Sequence, residues 1–443
     1  MTKRMLNVCR VITIILFAIG VVIVGVYPAS NQDLHLVFES SDKKVSLVLP
    51  EEKITNNHAI MISIPEENLE IEEVLVYRIF KSVRLQTINY NQLASYIQEV
   101  NNGLMQVEND SIVLSGEGKG KIEFTLNEDG SRILRNLSSS LLMERLFVAE
   151  LLMLICMVIL VCLTIVKEKM DGLHRDNHGP IYECRRFFRD IKEYWQYMNY
   201  AAKADLKAEV SNSYLNRLWW ILEPFFSMLV YVIVFGKLMG SSIDNYACYI
   251  FASLLMWNYF NKILLYSVKL VRSNRDILTK VYVPKYVLLI SNMILNFYKL
   301  IFSMMVLVAM MVVFRVTISW TIIWMIPCYA VMMLLAFGGG MILLHYGVFI
   351  DDLGYAVGIL LNMIMYLSGI FYDPITGLAY PLNILMISLN PAAMFIDGMR
   401  EALLYGRVTC VPLIILWFFI AIIIAYVGVH IVYKNENSYA KVV

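Results

Sequence analysis

Eight predominantly apolar runs divide the chain, at about 11–27, 146–166, 219–239, 246–266, 287–314, 320–349, 355–372 and 411–433. Runs of this size meet the roughly 17 to 25 residues that a helix needs to cross a bilayer. The first two bracket a polar insert with a different rhythm. Residues 34–38 and 45–49 alternate apolar with polar, and 59–64, 73–83, 111–114 and 121–126 repeat the period of two, which predicts strands. Leu93, Tyr96 and Ile97 share a face of a short helix predicted over 92–100, and 116–120 and 127–130 read as turns. A third rhythm runs over 187–210. There Phe187, Ile191, Tyr194, Trp195, Met198 and Leu206 recur every three or four positions, opposite Arg186, Arg189, Lys192 and Lys203. A basic, aromatic amphipathic helix directly before a span reads as lying in the membrane interface.

The predicted fold is therefore an all-α polytopic membrane protein of about eight transmembrane helices, with a small extracellular β-rich α+β domain. Its parts are a first membrane helix (1–28), the extracellular domain (29–145), a second helix (146–166), and a cytoplasmic linker with the amphipathic helix (167–218). A six-helix block (219–433) and a cytoplasmic tail (434–443) complete it. The first run could serve as a signal peptide, but no small-residue cleavage motif follows it, so it reads as a retained helix.

Composition agrees. Of 443 residues, 59% are hydrophobic and 16% charged, against roughly 45–50% and 25% in soluble domains. A cytosolic enzyme and a disordered scaffold are excluded, and a net charge of +1 offers nucleic acid no footing. Charge placement sets the orientation. Ten Lys and Arg lie over 167–217 and five over 269–285, whereas 241–245 has none. Both termini then fall in the cytoplasm by the positive-inside rule. The insert, with 18 acidic and 11 basic residues over 28–145, falls outside. Seven cysteines avoid the insert, so it is not stapled by disulfides, and no spacing suggests a metal site. The Gly116-x-Gly-x-Gly120 run lacks a following helix and reads as a hairpin turn, not a phosphate loop.

Four word groups are more specific. Asp205-Leu-Lys207 precedes Ser213-x-Leu215-x-x-Leu218-Trp219 and Pro224. Leu255-x-Trp257-Asn-Tyr-Phe260 follows, then the loop 273–285 with Arg275, Ile277, Leu278, Lys280, Val281, Pro284 and Lys285. Ser368-x-Ile370-x-Tyr372, Asn390-Pro391 and Met399-Arg400-x-Ala-Leu403 come last. In this order they resemble ABC-2 type permeases that export polysaccharides and teichoic acids, over about 190–433. Glu209-Val210-Ser211 stands where that family usually has Arg-Tyr-Arg, and Asp351 where it has Arg. The first 170 residues are an addition to the family's plan.

The resemblance implies a bacterial plasma-membrane permease without catalytic residues, metal or cofactor of its own. No Gly-x-x-x-x-Gly-Lys-Ser/Thr loop occurs, so a separate ATPase subunit would bind ATP. The expected partners are that ATPase, a second copy of the chain and a lipid-linked glycan moved outward, with no nucleic acid. Arg275, Ile277, Leu278, Lys280, Val281 and Lys285 are expected to couple to the ATPase. Trp195, Asp205, Lys207, Arg217 and Trp219 would form the interfacial approach. Trp257, Tyr259, Phe260, Phe371 and Tyr372, placed at outer ends of spans, would line a path with Lys299, although each alone fits an ordinary aromatic belt. Glu223 and Lys262 lie near enough to inner ends to snorkel.

Two other classes compete. A membrane transferase needs acid, base or nucleophile groups converging at one depth, but His345 and His430 lack partners in sequence and only Asp351-Asp352 pairs carboxylates. A sensor built on the insert would leave the six-helix block unexplained. Within transport, export of a drug or peptide is the alternative.

Overall fold

The computed structural model describes residues 3–26, 34–39, 44–49, 59–63, 68–78, 83–108, 111–116, 121–138, 142–170, 180–210, 218–240, 243–378 and 382–442. Helix α1 (Lys3–Val26) leads into the insert. This opens with β1 (Leu34–Glu39), β2 (Lys44–Leu49), β3 (Ala59–Ser63), β4 (Asn68–Ile71), β5 (Glu73–Arg78) and β6 (Val83–Asn89). Helix α2 (Tyr90–Tyr96), β7 (Ile97–Asn101), β8 (Gly103–Val107), β9 (Ile112–Gly116), β10 (Lys121–Leu126) and α3 (Glu128–Ser138) complete it. Three antiparallel sheets result, ordered β2-β1-β5-β6, β3-β10-β7 and β4-β9-β8. Alternate residues of β1, β5 and β6 (Leu36, Phe38, Val74, Val76, Val83 and Leu85) are buried with Ile122 and Phe124 of β10, as the period of two requires.

Several expectations need correction here. The single strand expected over 73–83 is a hairpin, with Val83 paired back on Arg78. The helix expected over 92–100 stops at Tyr96, and Ile97–Asn101 is a strand on β10. A register shift opposite Thr125/Leu126 sets Ile97 against Leu126 and Val100 against Phe124, on one face, so a spacing of three imitated a helix. The turn at 127–130 starts α3. Asn127 Oδ1 accepts the Gly130 N–H at 2.8 Å as a helix cap, a residue type shared by caps and turns. The 116–120 run does not join paired strands: β9, whose Gly116 pairs with Gly103, lies between β4 and β8, while β10 pairs with β3 and β7. Residues 117–120 lie outside the described residues.

Helix α4 (Leu142–Met170) packs along α1, and α5 (Pro180–Val210) is the amphipathic helix. Then come α6 (Trp219–Tyr231), continued as a π-helix over Val232–Leu238, α7 (Tyr246–Ser273), α8 (Arg275–Leu278) and α9 (Lys285–Val313). Helices α10 (Met325–Phe349), α11 (Leu353–Tyr366), α12 (Leu382–Leu389), α13 (Pro391–Leu404) and α14 (Val411–Val442) follow. Among the described residues, five helices are long and apolar enough to cross a membrane: Met143–Val166, Trp219–Leu238, Lys285–Val313, Trp320–Phe349 and Val411–Glu436. A sixth span exists if α12 and α13, bent by 97° at Leu389–Pro391, count as one. The chain is thus a mainly helical polytopic membrane protein. Of the eight runs, Cys9–Val24 and α11 form shorter apolar helices, and α7 carries Asn258, Asn261 and Lys262 mid-length.

Helix α10 is the centre of the bundle. A Cβ at Gly347 would collide with the Val268 carbonyl, and one at Gly338 would meet the Ala425 backbone at 2.7 Å. Glycines there let α7 and α14 approach backbone to backbone, the usual means of dense packing where water gives no drive.

Candidate functional site

Lys299 sits in the middle of α9 by count, yet its neighbours are chain ends. Its ammonium meets Glu209, in the last turn of α5, at 2.5 Å. Ser303, one turn further, donates to the carbonyl of Trp220, the second residue of α6. Helix α9 therefore extends well past the point where α6 begins, and α5 packs on that extension, from Tyr286 to Lys299. At this junction α6, α7 and α9 leave a groove of about 140 Å³. Glu223 and Lys262 pair across it at 3.3 Å, both more than two-fifths exposed. Asn258, Asn296, Ser227 and Ser303 supply polar lining, and Trp220, Tyr231 and Tyr259 supply aromatic walls. The Trp220 indole N–H has no hydrogen-bond partner. The groove thus offers two ammonium groups with loosely held counter-ions, hydrogen-bonding amides, and ring faces.

The expected path residues divide. Tyr259 and Lys299 line the groove, and Phe260 is half-buried against Trp257. Trp257 is 1% exposed and belongs to the core, not to a wall. All three aromatics of that motif sit level with the groove, not at an outer end, because they follow Tyr246 by three helical turns or more. Phe371 and Tyr372 lie apart from them, at the start of α7. There Phe371 stacks on Phe235 at 4.5 Å, and Tyr246 and Tyr249 donate to the carbonyls of Phe371 and Tyr372. Sequence reading missed the groove's polar floor because Asn258 comes from α7, whereas Asn296 and Ser303 come from α9.

At the far end of α7 and α9, Ile277, Val281 and Tyr282 are exposed, as are Arg275 and Lys280. Leu278 packs partly on the core. Lys285 is engaged with Glu436 of α14 at 3.0 Å and is not a free contact. Tyr282 donates to Glu436 and accepts from Arg186 of α5, and Asp190 of α5 accepts a 2.5 Å bond from Tyr286. Burial and the Glu436 carboxylate push the Tyr282 phenol up to about 12, so it remains a neutral donor. The loop around α8 is therefore tied to α5 and α14 together. On α5, Trp195, Asp205 and Lys207 are exposed, as is Trp219 on α6. Arg217 lies outside the described residues.

The opposite end carries a denser network. Asn390 caps α13 by accepting the Ala392 and Ala393 N–H groups, and donates to Ser368 at 3.0 Å and to the Leu367 carbonyl. Arg400, 1% exposed, donates to the Gly369 carbonyl at 2.7 Å, pairs with Asp397 and lies 4.0 Å over the Tyr249 ring. Gly369 has φ of +63°, a conformation glycine adopts without strain. Into this network the insert sends Arg84 of β6, which pairs with Asp373 at 3.3 Å and Glu401 at 3.2 Å. Arg407 reaches back to Glu39 and Glu73 on β1 and β5. Burial alone raises the Asp373 carboxyl, but the Arg84 guanidinium, the Ile375 N–H, Arg400 and the Thr376 hydroxyl together more than reverse this and hold it below the usual carboxylate range. Nothing in the sequence pairs Arg84 with Glu401; only the fold does.

No protein-family model matches the chain. It is similar to an O-antigen export system permease protein RfbA of Klebsiella pneumoniae, 26% identical over 239 residues, which is 54% of this chain and 91% of that one. A protein of the same name from Myxococcus xanthus is 26% identical over 206 residues, 46% of this chain and 79% of that one. A second from Klebsiella pneumoniae is 25% identical over 241 residues, 54% and 91%. Nearly half of this chain has no counterpart in these alignments, and the matched part resembles permeases of polysaccharide export.

Proposed function

We propose that the chain is the permease subunit of an ATP-binding cassette exporter that moves a lipid-linked surface glycan outward across the plasma membrane. The observation that carries the reading is the groove at Lys262 and Lys299, together with the names of the relatives. An anionic lipid head suits two ammonium groups whose carboxylate partners are half-exposed and exchangeable, and sugar C–H faces suit Trp220 and Tyr259. The groove opens where α5 ends and α6 begins, the level of the inner leaflet in this reading.

Placement supports the orientation. The acid-rich insert docks at one end of the bundle, the basic loop 269–285 lies at the other, and the carboxyl-terminal helix returns to the basic end through Glu436. Eight crossings then leave the insert outside with both termini in the cytoplasm, and α12 and α13 dip in from outside without crossing. A separate ATPase would press on the exposed strip Ile277 and Val281, and two copies of the chain would form the pore. Export of a drug or peptide is the alternative within the same machinery.

Cells lacking the chain should retain lipid-linked glycan on the cytoplasmic side and show none at the surface. The Ile277→Asp/Val281→Asp variant should do the same at unchanged permease abundance and lose the ATPase on co-purification, because both carboxylates would need desolvation in the contact. Normal surface glycan in cells without the chain would overturn the proposal.

A further inference from the structure

The insert faces the bundle with a side of its first sheet that its own core does not use. Leu36, Phe38, Val74 and Val76 point into the domain, so His35, Val37, Glu39, Leu75 and Tyr77 point the other way. Between that face and the 406–408 turn after α13 lies a cavity of about 240 Å³, at the seam of the two halves. Val37, Leu75 and Val408 give it an apolar surface; His35, Ser46, Tyr77 and Arg407 add donors and acceptors.

Charge decides what it can hold. The one guanidinium here, Arg407, already faces Glu39, Glu73 and Glu401. Among the described lining residues no guanidinium or ammonium is left over for a phosphate, sulfate or uronate, and the carboxylates face Arg407, which leaves little for a cation. A neutral polyol fits instead. The Arg407 Nε–H, on a side chain 10% exposed, has no hydrogen-bond partner and calls for an uncharged acceptor. Burial raises the Tyr77 phenol, which keeps it a neutral donor.

We infer that this seam cavity binds a neutral sugar residue, with the ring's C–H face on Val37 and Leu75 and its hydroxyls on Ser46, His35, Tyr77 and Arg407. The inference rests on the exporter reading for the source of the sugar, the glycan emerging on the outer side. A space of this size is below the range of drug-sized sites and suits one ring, not a chain. The extra domain would then hold the polymer end as it leaves the bundle.

The test is saturation-transfer NMR on the full-length chain in detergent, with neutral monosaccharides released from the producing cell's own surface glycan as probe. At least one sugar should show contact, and Ser46→Trp, which fills the cavity from the exposed strand β2, should weaken it by about tenfold or more. Val37→Trp is the second fill, from the next strand, and Lys299→Ala, at the groove, tells whether the sugar sits there instead. Binding that survives both fills, or no binding of any released sugar, overturns the site while leaving the exporter reading to its own glycan-retention test. Loss of binding in Lys299→Ala also overturns it, by moving the sugar to the groove.

Discussion

Two of the bundle's sets of ion pairs, the clamp at the insert and the groove at Lys262 and Lys299, are built differently. At the clamp between insert and bundle the cations are arginines, Arg84 and Arg400 are nearly inaccessible, and each meets several acceptors. At the groove the cations are lysines, each paired with one glutamate and still open to solvent. A guanidinium holds a planar fork of donors and gives up water readily, whereas an ammonium is a strongly hydrated point charge on a flexible stem. The clamp therefore fixes geometry, and the groove keeps charges that a passing ligand can borrow. Polarity within a membrane protein has two uses, and accessibility tells them apart.

The contrast makes its strongest demand at Arg84. Replacing it by Ala takes the nearest cation from both Asp373 and Glu401, and breaking a buried pair costs about 3–5 kcal/mol. The expected result is a marked fall in Tm and abundance, with the insert released from the bundle to proteolysis. Arg84→Met/Glu401→Met, which removes both charges, should recover part of the loss. Unaltered stability of Arg84→Ala would mean that the clamp does not hold the two halves together.

The groove should respond in the opposite sense. Lys299→Ala and Lys262→Ala remove pairs that are partly exposed, worth less than about 1 kcal/mol each, so Tm should hardly move. Glycan export should nevertheless fall by about tenfold, equivalent to ~1.4 kcal/mol of lost attraction for an anionic head. Equal losses of stability from these variants and from Arg84→Ala would erase the distinction.

How far this was legible in sequence follows from the range of each interaction. Helical rhythm along one segment located α5, because residues three and four apart meet on one face, and the length of the apolar runs located the long spans. Alternation found β1, β2, β3 and β10, but misread 97–101, where a bulge put Ile97 and Val100 on one side. The Ser368, Asn390 and Arg400 words were visible as words, while their joint purpose, fixing the 367–377 loop, needed three-dimensional proximity. Trp257 shows the limit from the other side. An aromatic in a span reads alike whether it faces a path or the core, and only packing sent it to the core. The π-helical stretch Val232–Leu238 left no sequence signal at all.

The smallest effect is that of acid on the clamp. Asp373 lies in the loop before α12, where its carboxyl faces Arg84 and Arg400 and accepts the Ile375 N–H and the Thr376 hydroxyl. Its folded value lies below the unfolded value of about 4. The unfolded or undocked state therefore binds the proton first, and stability from this group is fully present above about pH 4. It is lost as pH falls further, through the lower folded value. Between pH 8 and 5 the distance from the insert to the bundle, measured by paired spin labels at Ser95→Cys and Ile318→Cys in a background without native cysteines, should stay constant. Below about pH 4 it should broaden. In Asp373→Asn the same broadening should be weaker, because a neutral amide has no proton to gain, and the docking at pH 7 should be slightly looser. Asp397 and Glu401 also face Arg84, which is why the variant's acid response should shrink and not vanish. A broadening that is identical with and without Asp373 would leave Asp373 to hold only its own loop.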